Sequence, residues 1–206
     1  MPGKESEAVG GVIIFGGSFD PIHQAHLMLA EGAADELCAG KVLFVPAARP
    51  PHKEAAALSA AKHRAEMVRL AIEGNERFAF SSVEIDREGE SYTIDTIRAV
   101  SREEGGARPF LLIGGDTLLD LASWKAPEAI AAEADLVVAP RPGFDPRKAP
   151  ALLAGRFRLL DTPVVDLSAS RIRRWVAEGR SVRYLLPEPV RLYVEAHRLY
   201  EKEGER

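Results

Sequence analysis

The chain contains one cysteine, Cys38, so an internal disulfide framework is excluded and a reducing compartment fits. Large excess of either charge is also missing. The net charge is −4 and basic residues are dispersed except near the C-terminal third, so bulk electrostatics argues against nucleic acid as a partner. No apolar run approaches membrane-spanning length, and Met1–Gly10 is polar and charged, without the apolar core of a signal peptide. These absences point to a soluble, cytoplasmic protein with no membrane partner; a homo-oligomer stays open. Residues 1–10 are expected to be a disordered extension and 11–206 a single domain. With 46% hydrophobic residues, a chain of 206 can bury one substantial core. No internal repeat is visible.

What is present is an alternation of apolar runs with helical patterns, the signature of βα units around a parallel sheet. Strands are expected at Val12–Phe15, Val42–Val45, Phe78–Phe80 with Val83–Ile85, Phe110–Ile113, Leu136–Ala139 and Phe157–Leu160 leading to Val164–Val165. Helices are expected at about His23–Cys38, Ser59–Glu73, Thr93–Glu104, Thr117–Leu121, Pro127–Glu133, Ala169–Glu178 and Pro189–Glu201. The fold class is therefore α/β with a doubly wound parallel sheet. Ligands of such sheets bind outside the carboxyl ends of the strands.

The most informative stretch is Ile13-Ile14-Phe15-Gly16-Gly17-Ser18-Phe19-Asp20-Pro21-Ile22-His23-Gln24-Ala25-His26. Val12–Phe15 is a continuous β-branched and aromatic run, as a central strand covered on both faces requires. Gly16 and Gly17 permit unusual backbone angles and close approach to a ligand, and Pro21 ends the extended segment. The helix from about His23 then directs its N-terminal N–H groups and positive dipole end to the strand's carboxyl edge, where a phosphate fits. His23 and His26, three residues apart, share one helix face, and each imidazole can donate to phosphate oxygen, with added charge when protonated. The plainer alternative is two polar residues at a helix start. A zinc site would need further ligands, and Cys38 lies outside the motif, so no protein-bound metal is expected.

Three connections at strand ends extend this picture. Pro46–Glu54 is a proline-stiffened loop presenting Arg49, His52 and Lys53, and Pro140–Pro146 brings Arg141 to the same edge; both also read as ordinary surface connectors. The stretch 147–155 reads as a loose excursion. In Asp166–Trp175, Ser168 is suited to cap a helix whose first turn carries Ser170, Arg171, Arg173 and Arg174. Arginines there oppose the helix dipole unless an anion offsets them, which suggests a second anion-adapted helix end rather than a solvated surface.

Together these residues resemble the nucleotidyltransferase superfamily with a histidine motif after its first strand. Within it, Pro50-Pro51-His52-Lys53, Ser91-Tyr92-Thr93-Ile94-Asp95-Thr96, Ile113-Gly114-Gly115-Asp116, Trp124, Tyr184-Leu185-Leu186-Pro187 and His197-Arg198-Leu199-Tyr200 are similar to the nicotinate-nucleotide adenylyltransferase family. Ala25 stands where the family's histidine motif has glycine, adding a methyl near the expected phosphates. Leu167-Ser168-Ala169-Ser170 with Arg173 replaces the family's Ile-Ser-Ser-Thr and its arginine, keeping two of three hydroxyls.

The resemblance implies a Rossmann-like nucleotidyltransferase fold and adenylyl transfer from ATP to nicotinate mononucleotide, giving nicotinate adenine dinucleotide and pyrophosphate, with Mg²⁺ arriving on ATP. It implies ATP contacts from Gly16, Gly17, Ser18, Phe19, His23, His26, Ser168, Ser170 and Arg173. His26 would stabilise the transition state with His23 beside it, and Lys53 and Arg173 would neutralise the departing pyrophosphate. Trp124 would stack on the pyridine ring near Thr93, Asp116 would bind a ribose and Arg141 the mononucleotide phosphate. For Trp124 core packing is the alternative, for Asp116 a helix cap. Tyr92 and Asp95 are expected to position a helix, and His197 to pack with Val190, Tyr193 and Val194. Two other functions compete: adenylyl transfer to nicotinamide mononucleotide, phosphopantetheine or another phosphorylated acceptor, and a nucleotide sensor of this fold without catalysis.

Overall fold

The computed structural model of the chain describes residues 10–49 and 58–201. Six strands form its sheet: β1 (Val12–Gly17), β2 (Lys41–Pro46), β3 (Phe78–Phe80), β4 (Phe110–Gly114), β5 (Asp135–Ala139) and β6 (Phe157–Leu159). Neighbours are parallel throughout and the order is β3-β2-β1-β4-β5-β6. The chain thus winds outward from β1 to one edge, returns beside β1 as β4, and winds outward to the other. That reversal leaves a crevice between the carboxyl ends of β1 and β4, where a doubly wound sheet takes its ligand.

The expected helices are present as α1 (Gln24–Glu36), α2 (Ala61–Ile72), α3 (Thr93–Glu103), α4 (Gly115–Asp120), α5 (Pro127–Glu133), α6 (Ala169–Ala177) and α7 (Glu188–Ala196). Because strand side chains alternate between faces, the apolar runs feed two cores. Ile13, Phe15, Val42, Phe44, Leu112 and Val137 meet Ala30, Ala33, Met67, Val68, Ile172, Val190 and Val194 from α1, α2, α6 and α7. On the other face Val12, Ile14, Leu43, Val45, Leu111, Ile113 and Val138 meet Ile94, Ile97, Val100, Leu118 and Ile130 from α3, α4 and α5.

Four expectations change. Residues 83–85 form a turn rather than a strand extension: after Ser81 donates to the Phe44 carbonyl at 3.0 Å the chain leaves the sheet, and Glu84 turns inward to Thr96. Val164–Val165 is irregular, since Pro163 before it has no ladder donor to offer. The 147–155 excursion is anchored: it makes two short 3₁₀ turns and buries Leu153 completely, about 1.5–3 kcal/mol of apolar burial that holds it to the second core. The last helix ends at Ala196, not 201, and the chain reverses through Arg198 and Tyr200, which hold left-handed φ values of 50° and 69°.

Candidate active site

A cleft of about 700 Å³ opens at the β1/β4 crevice. Its walls carry Gly16, Gly17, Ser18 and Phe19 from the end of β1 and the loop after it, His23 and His26 from the start of α1, and Ser168, Ser170 and Arg173 from the start of α6. Thr93, Asp116, Trp124 and Arg141 line it as well. Every residue expected at the site is therefore on one cleft, apart from Lys53, which with Pro50, Pro51, His52 and Glu54 lies outside the described residues.

The glycine pair works differently from the sequence expectation. Gly16 and Gly17 are extended and paired in register with Val45 and Pro46, and the left-handed residue is Phe19, at φ 46°. What glycine supplies is space. A Cβ on Gly16 would meet nothing within 4 Å, so the missing side chain leaves room in the cleft, whereas one on Gly17 would press to 3.1 Å from the Phe19 ring. Gly115 acts likewise: a Cβ there would lie 2.6 Å from the ring of Phe144, which could not then pack against the start of α4.

His23 and His26 share a face as their spacing requires, with rings stacked 3.7 Å apart at 13°. The His23 backbone N–H donates to His26 Nδ1 at 3.2 Å, so a neutral His26 carries its ring proton on Nε2. Edge-on contacts with Phe15 and Phe19 fix the plane of the His26 ring. His23 is 2% exposed; burial first, and then the charge of Arg141, lower its pKa from 6.5 to about 4. His23 is thus neutral near pH 7, so the charge that a protonated imidazole would add is not supplied by this residue there. Its buried Nδ1 has no hydrogen-bond partner among the described residues.

Positive charge comes from arginines. Arg173 donates from Nη1 to the Asp20 carbonyl at 2.7 Å and from Nη2 to Ser170 Oγ at 3.4 Å, which ties α6 to the loop after β1. Arg141 reaches the Leu167 carbonyl at 3.5 Å. Ser168 caps α6, accepting from the Arg171 N–H at 3.3 Å. Arg171 pairs with Asp166 at 3.0 Å and Arg174 lies 4.0 Å from Glu178, so of the three arginines of α6 only Arg173 lines the cleft. The α1 end is less open than expected, because the Gln24 N–H already donates to the Leu185 carbonyl at 3.0 Å.

At the other end of the cleft Trp124 is partly buried against the second core while lining the opening, so packing and exposure to a ligand coexist. Thr93 opens α3, and Asp116 lies in the first turn of α4, whose N-cap is Gly114. Tyr92, expected only to position a helix, also lines the cleft, with the Lys125 ammonium 4.0 Å above its ring; Asp95 pairs with that lysine at 3.3 Å. His197 is exposed, its ring against Tyr193 and His63, a surface cluster rather than core packing.

Sequence reasoning missed the buried frame behind these groups. Arg64, 1% exposed, donates to the carbonyls of Ser59 (2.9 Å), Ser18 (2.9 Å), Ala47 (2.6 Å) and Ala48 (3.2 Å). It clamps the loop after β1 to the chain on both sides of residues 50–57. Burial pushes its pKa down while Asp20 pulls it up. Ser91 Oγ accepts from the N–H groups of Ala48 and Arg49, extending the frame toward Thr93. Glu84, buried on the cleft wall, accepts from Thr96 Oγ1 at 2.6 Å. One signal was present: Arg64 heads the stripe Arg64, Met67, Val68, Ile72, whose spacing marks a buried face.

The cytidylyltransferase-like family profile matches residues 14–175. The chain is 42% identical over 196 residues to a Symbiobacterium thermophilum protein named probable nicotinate-nucleotide adenylyltransferase, covering 92% of this chain and 94% of that one. It is 44% identical over 187 residues to a Thermus thermophilus protein of the same name, covering 91% and 97%. In fold it is similar to a Plasmodium falciparum nicotinic acid mononucleotide adenylyltransferase complexed with NaAD, with a TM-score of 0.78 at 19% identity over 93% of this chain and 97% of that one.

Proposed function

The chain belongs to the nicotinate-nucleotide adenylyltransferase family of cytidylyltransferase-like proteins, and from that premise we propose that it transfers the adenylyl group of ATP to the phosphate of nicotinate mononucleotide, releasing pyrophosphate. The observation that carries the reading is one cleft with two chemically different ends. The starts of α1 and α6 bring imidazoles, hydroxyls and Arg173 to one end, and Trp124 and Thr93 line the other. Such a cleft can hold a polyphosphate and an aromatic mononucleotide side by side.

No protein nucleophile is required. The mononucleotide phosphate attacks the α-phosphorus, and the protein aligns the two substrates and stabilises charge. His26 donates from Nε2 to the α-phosphate oxygens as charge builds, with its ring held by Phe15, Phe19 and the His23 N–H. Arg173, with Ser168 and Ser170, receives the β- and γ-phosphates, and Lys53, outside the described residues, is assigned the same role. Arg141 meets the mononucleotide phosphate, Trp124 stacks on the pyridine ring, Thr93 lies near its carboxylate and Asp116 binds a ribose. His23 serves as a neutral partner stacked on His26.

Mg²⁺ fits as a passenger of ATP. Among the described residues no group of three or more His, Cys, Asp or Glu is placed to hold an ion, and the cationic rim calls for a metal whose oxygens come from phosphates and water. When bound, the ion neutralises triphosphate charge. No helix among the described residues is long and apolar enough to cross a membrane.

The test is pyrophosphate release by the pure protein with ATP and Mg²⁺, run in parallel on nicotinate mononucleotide, nicotinamide mononucleotide and phosphopantetheine. Turnover is expected to favour the acid. Preference for either alternative acceptor would reassign the substrate, and ATP binding without pyrophosphate release from any of them would favour a sensor.

A further inference from the structure

The reversal after α7 sends the Tyr200 phenol to the site, across 180 residues of sequence. Its hydroxyl donates to Asp20 Oδ1 at 2.7 Å. The left-handed Arg198 and Tyr200 make the reversal, and the Leu199 N–H closes it on the Val194 carbonyl at 3.0 Å. Asp20 is 1% exposed, and its other oxygen, Oδ2, accepts from the Ser59 N–H at 3.2 Å and lies 3.9 Å from Arg173 Nη1. The same Arg173 nitrogen donates to the Asp20 main-chain carbonyl. Arg64, whose charge acts on Asp20, holds the neighbouring Ser18 carbonyl. Asp20 is therefore gripped through its side chain, and it holds Arg173 through both its carbonyl and its charge.

We propose that Tyr200 is a positioning residue for adenylyl transfer: its phenol fixes the buried Asp20 carboxylate, and Asp20 in turn holds the Arg173 guanidinium in place at the polyphosphate end of the cleft. The inference rests on the reading of that end as the ATP site. Arg173 is 30% exposed, and a guanidinium with that freedom loses rotamers on binding unless something has already fixed it. Tyr200 and Asp20 restrict it beforehand, so the benefit falls on triphosphate binding. The pyridine end, built from α3, α4 and Trp124, packs with the other core, on the face of the sheet away from Tyr200, and should be indifferent to it.

The experiment is a mutant cycle on the full chain with Tyr200→Phe, Arg173→Ala and the double variant. It reads the affinity for a non-hydrolysable ATP analogue, the KM of each substrate and the melting temperature. Tyr200→Phe is expected to weaken the analogue and raise the KM of ATP by about five- to tenfold, the range set by freeing one long side chain. The KM of nicotinate mononucleotide should change less than twofold. In the Arg173→Ala background, Tyr200→Phe should change analogue affinity less than twofold, because its route is already cut. Asp20→Asn, which keeps the carbonyl and the shape, should reproduce the ATP-selective loss if Tyr200→Phe folds poorly. Unchanged analogue affinity, independent multiplication of the two losses, or equal rises in both KM values tracking a lower melting temperature would each overturn the proposal. The binding arm needs no turnover, so a protein inactive on nicotinate mononucleotide would defeat the functional assignment and still report on Tyr200.

Discussion

Burying His23 as a neutral imidazole makes stability depend on pH in a defined window. In the unfolded chain this histidine titrates near its ordinary 6.5, and in the folded protein near about 4. Between those values the unfolded state binds a proton that the native state refuses, so stability falls as pH drops from 6.5 toward 4 and is fully present above. A difference of that size corresponds to about 3 kcal/mol when complete, and to about 2 kcal/mol between pH 7.5 and pH 5. With total stabilities typically about 5–15 kcal/mol, one residue then sets much of the acid response. The assay is urea unfolding of the wild type and His23→Gln at both pH values. Other titrating groups act on both proteins, so the excess loss in the wild type isolates His23. An excess near 2 kcal/mol is expected. Equal losses would refute the reasoning and show that His23 gains a proton, and with it a cationic role, without structural penalty.

Three further outcomes are expected. His26→Ala should lower turnover by about two to three orders of magnitude with the fold retained, as for loss of one transition-state donor, and turnover within tenfold of the wild type in a pyrophosphate assay would remove that role. Arg64→Met should cost about 3–5 kcal/mol in urea unfolding, because four carbonyls lose their donor and Asp20 loses a compensating charge; Arg64→Lys should recover little, since an ammonium cannot span the fork. Ala25→Gly should leave turnover within twofold and cost about 1 kcal/mol of stability, because the Ala25 methyl packs on the core instead of lining the cleft; a large gain in turnover would show that the methyl obstructs the phosphates.

Most of the strands, and the candidate residues that the fold gathers on one cleft, were legible because each leaves a local trace. Val12–Phe15 reads as a central strand from its own side chains, and Ser168 reads as a cap from its position before a helical pattern. Groups that act through distant backbone leave no such trace. The role of Arg64 is defined by carbonyls 5 to 46 residues away, and that of Tyr200 by a carboxylate 180 residues away. The glycine pair shows the converse error. Its presence was legible and its reason was not, because open space beside Gly16 and a ring beside Gly17 belong to the folded arrangement, while backbone freedom is the property of glycine that a sequence displays.

A division of labour between rim and interior follows from the burial of His23. An imidazole that stays neutral adds no cation, so on the proposed reading compensation of a triphosphate falls to Arg173 and Arg141 among the described residues that line the cleft. Long cationic side chains are poorly ordered at a surface, and ion pairs formed there with solvent access contribute about 0–1 kcal/mol. The chain places its ordering elements below the rim, where Arg64 grips the carbonyls of Ser18, Ala47 and Ala48, and Asp20 holds Arg173. A buried pair of opposite charges, taken whole, contributes little net stability compared with well-packed apolar groups of the same volume, although removing one partner alone is costly. What an apolar substitute could not do is accept from Tyr200 and Ser59 at one carboxylate while directing a guanidinium into the cleft. The energetic case for this polar interior therefore lies in catalysis: a rim set in advance spends less of the substrate's binding energy on ordering the protein and leaves more for the transition state.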